Sequence, residues 1–552
     1  MTGDDPFDPI DLELLWNRLI LVADEAAYAI VRTSMSKVVV EGRDFGTLLL
    51  DPEGRLLVAD VSIASKTGTI SIAVKELLRL MPLESFRPGD MVVTNNPWWI
   101  MGHLNDIAII APLFHRGRIV GFAECMAHMA DIGGSLSGMP REVYEEGLII
   151  PPLKIIENGQ ENATFFSMLE ANVRVPRQIA ADVHALIAGC RVMERKLSEF
   201  LDLHQLPDLQ ALGHQIRERS TATMRRALSD TIPRGIYQGE TTVDGLGQPL
   251  TICARVTSDA DGVEIDFAGS SPQSAFGINC TLVYTTVWAA YIMKCIAAPQ
   301  LPNNDGTFAP IRVHAPEGSF LNPRFPAPVK MKPSSGHYIP IAILNALSGV
   351  LSRHLLAESG NKFLVYLAGR DEHGAAFSDL MFVMGGMGAR LSRDGLHCMS
   401  FPANSSNLPT EVLEQGLPLR VRRRALRPDS GGPGRYRGGA GQVYELESTS
   451  PYPLTVRAEH GKLTTAPCGL RGGLSGAAGG LFLNDKPIPD KVPVTLNKGD
   501  VLRLEVPGGG GMYPAHLRDP RALTRDIADE LVTSEAAARD YDRTPDLSNA
   551  AA

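Results

Sequence analysis

The chain has 552 residues, 44% of them hydrophobic and 21% charged, ample for more than one buried core. Its formal charge of -9 and isoelectric point near 5.9 argue against a general binder of nucleic acid or anionic membrane, and suit a soluble enzyme. Seven cysteines, odd in number and without a Cys-x-x-Cys pair, read as reduced thiols of a cytoplasmic protein. The acidic start MTGDDPFDP carries no apolar signal-peptide core.

Residues 11–34 place Leu12, Leu15, Trp16, Leu19, Ala23, Ala26 and Ile30 at three- and four-residue steps, the pattern of an amphipathic helix. Residues 38–40, three valines, read as extended. Residues 47–50 and 55–58 flank Asp51-Pro52-Glu53-Gly54, a hairpin turn. A helix over 71–81 and a strand over 91–94 follow. Next come a flexible loop over 133–140, an extended stretch over 149–156, and helices over 162–172, 176–204 and 208–228, the last with Asp208 as N-cap. Strands are expected over 235–238, 251–256 and 263–267, then helices over 281–298 and 339–352. The most apolar long window, 282–298, is short for a membrane span and holds Lys294, so it reads as a buried helix. After residue 400 glycine and proline dominate. Short strands are expected there over 442–446, 454–456 and 501–506, then a helix over 519–540 and a polar tail.

One stretch organises the reading. Residues 95–134 are NNPWWIMGHLNDIAIIAPLFHRGRIVGFAECMAHMADIGG. Two apolar runs, 107–114 and 118–127, surround the short polar loop His115-Arg116-Gly117, which predicts a β-hairpin. If the turn centres on Arg116-Gly117, facing residues have numbers that sum to about 233. Asn105 then faces His128 and Asp106 faces Ala127, so His128 returns beside Asp106 and, with a bend in the preceding loop, His103. A slip of one residue would turn His128 to the other face. Two readings stand for the trio. It is a site for a hard or borderline divalent metal, or its members cap and bond loop ends. Trp98 and Trp99 line a site for a ring, or are core.

The chain resembles the hydantoinase B family, whose relatives include the C-terminal half of 5-oxoprolinase and the metal-binding subunits of acetone and acetophenone carboxylases. The matching motifs run in order: EGRDF at 41–45, GHLNDI at 102–107, AHMADIGG at 127–134, EGLIIPPLK at 146–154 and ANVR at 171–174. DFAGSSPQ at 266–273, GGMGAR at 385–390, NLPTEVLE at 407–414, LRPDSGGPGRYRGGAGQ at 426–442 and PGGGG at 507–511 continue the series. The resemblance implies a metal held by Glu41, His103, Asp106 and His128; Glu41 enters by resemblance alone. The sequence departs from the family at Met129, at Asn96, and at Trp98-Trp99-Ile100-Met101 before His103.

Oxygen and nitrogen ligands of this kind suit Mn, Zn or Fe. Such a metal polarises a carbonyl or activates bound water. Unstrained five-membered lactams are hard to open, and the resemblance implies coupling to ATP through a hydantoinase A-type partner subunit. This chain has no G-x-x-x-x-G-K-[ST] sequence, so ATP is assigned to that partner. Asp131 and Asp44 are the further catalytic candidates, as an acceptor behind a histidine, a general base, or plain loop aspartates. Glycines 133, 134, 385, 386 and 388 are either donors to an oxyanion or turn residues, and Arg427, Arg435 and Arg437 either meet a partner or pair internally.

The expected class is a multi-domain α+β protein with mixed helices and antiparallel sheets and a β-rich C-terminal part. Its expected divisions are 1–232, an N-terminal metal-binding domain; 233–400, a central α+β domain; 401–518, a glycine-rich β domain; and 519–552, a helix and tail. The expected function is that of the metal-binding subunit of an ATP-dependent cyclic amide hydrolase, in a hetero-oligomer. The alternatives are a ketone carboxylase subunit and a non-catalytic scaffold.

Overall fold

The computed structural model describes residues 6–60, 71–135, 139–399, 401–403, 405 and 407–542. The middle of the loop after Gly134 and the tail after Asp542 lie outside the described residues. The chain divides into two compact units. The first comprises Met1–Ser135, Pro140–Gln238 and Cys253–Ile343; the second comprises Leu136–Met139, Gly239–Ile252 and Leu344–Ala552. The expected boundary at 233 falls close to Gln238, where the second stretch of unit one ends. Those at 400 and 518 fall inside unit two.

In the first unit, α1 (Pro9–Thr33) starts at Asp8, whose Oδ1 accepts the N–H groups of Ile10 and Asp11 at 2.8 and 3.0 Å. It buries the apolar face read from the sequence. Residues 37–40 form not a strand but a short helix, α2 (Lys37–Val40). Burial of Val38 and Val39 overrides the extended preference of β-branched residues, and Gly42 N–H closes the turn on Lys37 O at 2.9 Å.

The strands β1 (Phe45–Leu50), β2 (Leu56–Ala59), β3 (Met91–Thr94), β4 (Asp106–His115), β5 (Arg118–His128), β6 (Leu153–Glu157) and β7 (Gln160–Glu161) build one sheet. Its order is β2-β1-β5-β4-β3-β6-β7. Helices α3 (Ser71–Leu80), α4 (Ala163–Asn172), α5 (Pro176–Leu203) and α6 (Gln210–Thr231) follow the expected order. α6 begins two residues past Asp208, whose carboxylate still accepts Gln210 N–H at 2.8 Å. α1 and α5 pack together over this sheet; the Thr47 hydroxyl in β1 donates to Ala23 O in α1 at 2.8 Å. The apolar window forms α7 (Leu282–Ala297), largely buried as expected. Among the described residues no helix is long and apolar enough to cross a membrane.

A second sheet joins Ile311–His314, Val263–Asp266, Leu250–Ser258 and Gly235–Val243 in that order, and the chain passes between the units within its last two strands. In unit two, Lys362–Arg370 and Ala376–Met384 form a hairpin that the sequence reading left out, as it did the strand Leu419–Leu426. The expected strands appear as Gln442–Ser448, Leu454–Glu459 and Val501–Glu505, and the expected last helix is two, Pro520–Ala528 and Ser534–Tyr541. The two sheets of this unit share a core around Phe363, Leu446, Val456 and Leu502.

The glycine-rich runs of unit two do not serve as loose loops. Segments at 385–388, 430–441 and 507–511 lie backbone against backbone. Gly432 N–H bonds Gly509 O at 2.7 Å, Gly509 N–H bonds Gly439 O at 2.9 Å, and Gly439 N–H bonds Met387 O at 2.8 Å. A Cβ on Gly386 would sit 1.8 Å from Gly439 O. Only glycine allows so close an approach.

Candidate functional site

The hairpin predicted at 106–128 forms, with a two-residue turn at Arg116 and Gly117, both at positive φ (48° and 80°), the backbone such a turn requires. Next to the turn His115 pairs with Arg118, a sum of 233. A β-bulge between Leu113 and Phe114 then adds one residue to β5, and from Leu113 back to Asp106 the pairs sum to 234. The expected register is therefore corrected by one. Asp106 pairs directly with His128, so the two side chains emerge on one face.

The neighbouring strand extends the row. Phe45 in β1 pairs with Ala127, and the N–H of His128 bonds the carbonyl of Asp44 at 3.0 Å. His128 and Asp106 thus stand level on adjacent strands, with Asp44 beside His128 just before β1. His103, in the loop before β4, folds back onto them: its Nε2 lies 2.8 Å from Asp106 Oδ2, and its ring centroid lies 5.0 Å from that of His128. His103, Asp106 and His128 are 2%, 2% and 4% exposed. Burial, aided by the nearby Lys332 ammonium and opposed by Asp106, lowers the pKa of His103, favouring the neutral imidazole that ligates metals.

Distant residues complete the cluster, and the sequence reading missed them. Lys332 Nζ lies 3.1 Å from Asp106 Oδ2, donates to the Met101 carbonyl, and sits 4.4 Å from the centroid of the Tyr284 ring. The Lys330 carbonyl is 3.3 Å from His103 Nδ1. Glu146 Oε1 accepts the N–H groups of Val329 and Lys330, both at 2.7 Å, and holds that segment in place. Gly102, at φ 87°, leaves room for the Lys332 stem, since a Cβ there would meet Lys332 Cδ at 3.2 Å and Tyr284 Cβ at 3.1 Å. A signal was present: two lysines bracket Met331 within a run that is otherwise apolar or small, and a buried lysine needs a partner.

Glu41 is exposed, at the C-terminal end of α2. Asp131 gives both carboxylate oxygens to Arg174, Oδ1 to Nη1 and Oδ2 to the backbone N–H, each at 2.6 Å. The oxyanion reading of the glycines at 385, 386 and 388 is corrected. Their N–H groups are taken by Asn361 O, Pro507 O and Ser359 Oγ. Arg427 pairs with Glu505 and Arg437 with Asp526.

In kind, the donors fit a divalent cation: two imidazoles and a carboxylate, buried together beside a second aspartate. In charge, the place on Asp106 is already shared with Lys332. As they stand, no group of three or more His, Cys, Asp or Glu side chains among the described residues is disposed to hold a metal ion.

A cavity of about 270 Å³ lies in the same unit, lined by Asn96, Pro97, Trp98, Val143, Ile149 and Phe325. Trp98 Nε1 donates to Pro323 O at 3.3 Å, and its ring meets Phe325 edge-on at 5.3 Å.

Fold and cluster define an α+β protein with a buried His-Asp-His group at the end of a mixed-length antiparallel sheet. The chain belongs to the hydantoinase B/oxoprolinase family, whose model matches residues 8–514. It is 29% identical to the B-type subunit of a putative D-/L-hydantoinase of Pseudomonas sp. (strain NS671), over 97% of this chain and 95% of that one. The fold is that of the ATP-dependent caprolactamase from Pseudomonas jessenii, with a TM-score of 0.89 at 24% identity over 97% and 96% of the two chains. It is also that of a nucleotide-free acetone carboxylase, with a TM-score of 0.87 at 19% identity over 97% and 79%.

Proposed function

We propose that this chain is the metal-binding subunit of an ATP-dependent cyclic amide hydrolase, acting on a hydantoin, lactam or 5-oxoproline-type ring with a hydantoinase A-type subunit that uses ATP. The observation that carries this reading is the convergence of His103, Asp106 and His128 in a chain of this family. These three would hold a divalent cation of the Mn, Zn or Fe kind. Asp44, beside His128, is better placed than the exposed Glu41 to be the fourth ligand. A cation there supplies polarisation of a carbonyl oxygen or an acidified water.

The chain's own residues do the rest. Lys332 balances the charge of Asp106 and holds the loop at Met101. The Lys330 carbonyl, 3.3 Å from His103 Nδ1, orients the ring so that Nε2 is turned to Asp106 Oδ2 at 2.8 Å. Burial keeps bulk water from competing with these contacts. Asp131, tied to Arg174, positions the segment after His128.

The test is co-purification with a hydantoinase A-type subunit, elemental analysis, and an assay of ATP-dependent ring opening. His128→Ala is expected to lose both the metal and the ring-opening activity. Unchanged metal content and activity in that variant would make the chain a scaffold. The likeness to the acetone carboxylase fold favours a second reading, a ketone carboxylase subunit. Acid formation that requires bicarbonate, without ring opening, would establish it.

A further inference from the structure

The cavity beside Trp98 and the polar cluster share their scaffolding. Three chain segments contribute to both. The first runs from Asn96, Pro97 and Trp98 in the cavity wall to His103 and Asp106 in the cluster. The second carries Val143 and Ile149 in the wall, with Glu146 between them clamping Val329 and Lys330. The third carries Phe325 in the wall, then Lys330, whose carbonyl meets His103, and Lys332, which meets Asp106. The last pair of β3 with β4, Thr94 with Ala108, brings the start of the first segment beside the end of the strand that bears Asp106.

The wall carries no charged side chain, and several of its polar atoms are already bonded. Asn96 Oδ1 accepts Trp98 N–H at 2.9 Å, Asn96 O accepts the N–H groups of Trp99 and Ile100 at 3.0 Å, and Trp98 Nε1 is taken by Pro323 O. An occupant therefore gains no ion pair there, and a charged one would lose its hydration. The rings of Phe325 and Tyr144, stacked edge-on at 5.5 Å, are 57% and 58% exposed, apolar surface left open to water. A cavity of about 150 Å³ suffices for benzene, so 270 Å³ accepts a phenyl- or cyclohexyl-sized group.

We propose that this cavity is a side-chain subsite, receiving an uncharged apolar substituent of about phenyl size carried by the amide that faces His103, Asp106 and His128. The inference rests on the amide reading given above, and it narrows the substrate to amides bearing such a group.

The test is ligand binding by the full-length chain, measured by calorimetry or ligand-observed NMR with three probes: hydantoin, 5-benzylhydantoin and the open-chain phenylacetamide. The benzyl compound is expected to bind about tenfold or more tighter than hydantoin, from burial of its ring. Phe325→Ala, which opens the wall at an exposed side chain, and Ile149→Phe, which fills the cavity, should each close most of that gap. Equal binding of hydantoin and 5-benzylhydantoin overturns the proposal, as does a gap that survives in both variants. If phenylacetamide binds as tightly as 5-benzylhydantoin, with the same loss in the variants, the subsite stands and the cyclic amide reading falls.

Discussion

Replacing Lys332 with methionine keeps most of the volume of the side chain and removes its charge. Lys332 is 3% exposed and Asp106, whose carboxylate it meets, 2%. Removing one member of a buried ion pair costs about 3–5 kcal/mol, because the remaining charge has no counterpart. At roughly 2–4 °C per kcal/mol for a domain of this size class, the unfolding midpoint of metal-depleted protein should fall by about 10 °C. The second arm adds Mn or Zn ions. A ligand at a hundred times its Kd contributes about 2.7 kcal/mol, and in the variant no ammonium competes for Asp106. The metal should therefore raise the midpoint of Lys332→Met by more than it raises that of the wild type. Differential scanning calorimetry with and without metal reads both arms. A loss below about 1 kcal/mol, where surface substitutions fall, would show that Lys332 does not balance Asp106. An equal metal effect in both proteins would show that ammonium and cation do not share the carboxylate.

Other outcomes follow from the same structure. Glu124 in β5 is fully buried, and neither carboxylate oxygen has a hydrogen-bond partner among the described residues. Burial, with a smaller contribution from Cys190, raises its pKa well above the ordinary value. A carboxyl whose folded pKa lies above its unfolded one costs stability only as pH rises past the unfolded value. Glu124→Gln should thus leave acid stability at pH 4 unchanged and stabilise by roughly 1–3 kcal/mol at pH 8, in urea titrations at the two pH values; an equal effect at both refutes it. Asp131→Asn should lower the unfolding midpoint by a few degrees through its lost pairing with Arg174, with ring opening by the intact complex reduced less than fivefold. A loss beyond a hundredfold at unchanged stability would make Asp131 catalytic instead. Gly386→Ala should cost more than about 4 kcal/mol or prevent folding, since its Cβ has no space. At Gly247, where a Cβ meets nothing within 4 Å but φ is 90°, alanine should cost only about 1–2 kcal/mol; soluble yield and urea midpoints compare the two.

Local patterns made part of this legible. The helical period of residues 11–34 and the hairpin around Arg116 depend on near neighbours, and both formed. The convergence of His103 and His128 followed from the hairpin because strand pairing converts sequence separation into proximity. The bulge at Leu113 was not legible, since nothing in the alternation of apolar residues marks one extra residue in a buried strand. Lys332 and Glu146 were missed for a different reason: they reach the cluster through tertiary contacts with no periodic signature. The glycines at 385, 386 and 388 carried a true signal that was read as oxyanion donors or turns. Their use is close backbone packing, which composition alone does not separate from flexibility. Val38–Val40 misled because short apolar runs fit either a strand or a helical turn until burial decides.

The contacts of Lys332 with Asp106 and of Lys330 with His103 span 226 and 227 residues. A ribosome delivers the hairpin with its imidazoles long before it delivers the lysines, with the first excursion into unit two translated in between. A chain halted before residue 330 would keep those side chains but lack the clamp that orders them.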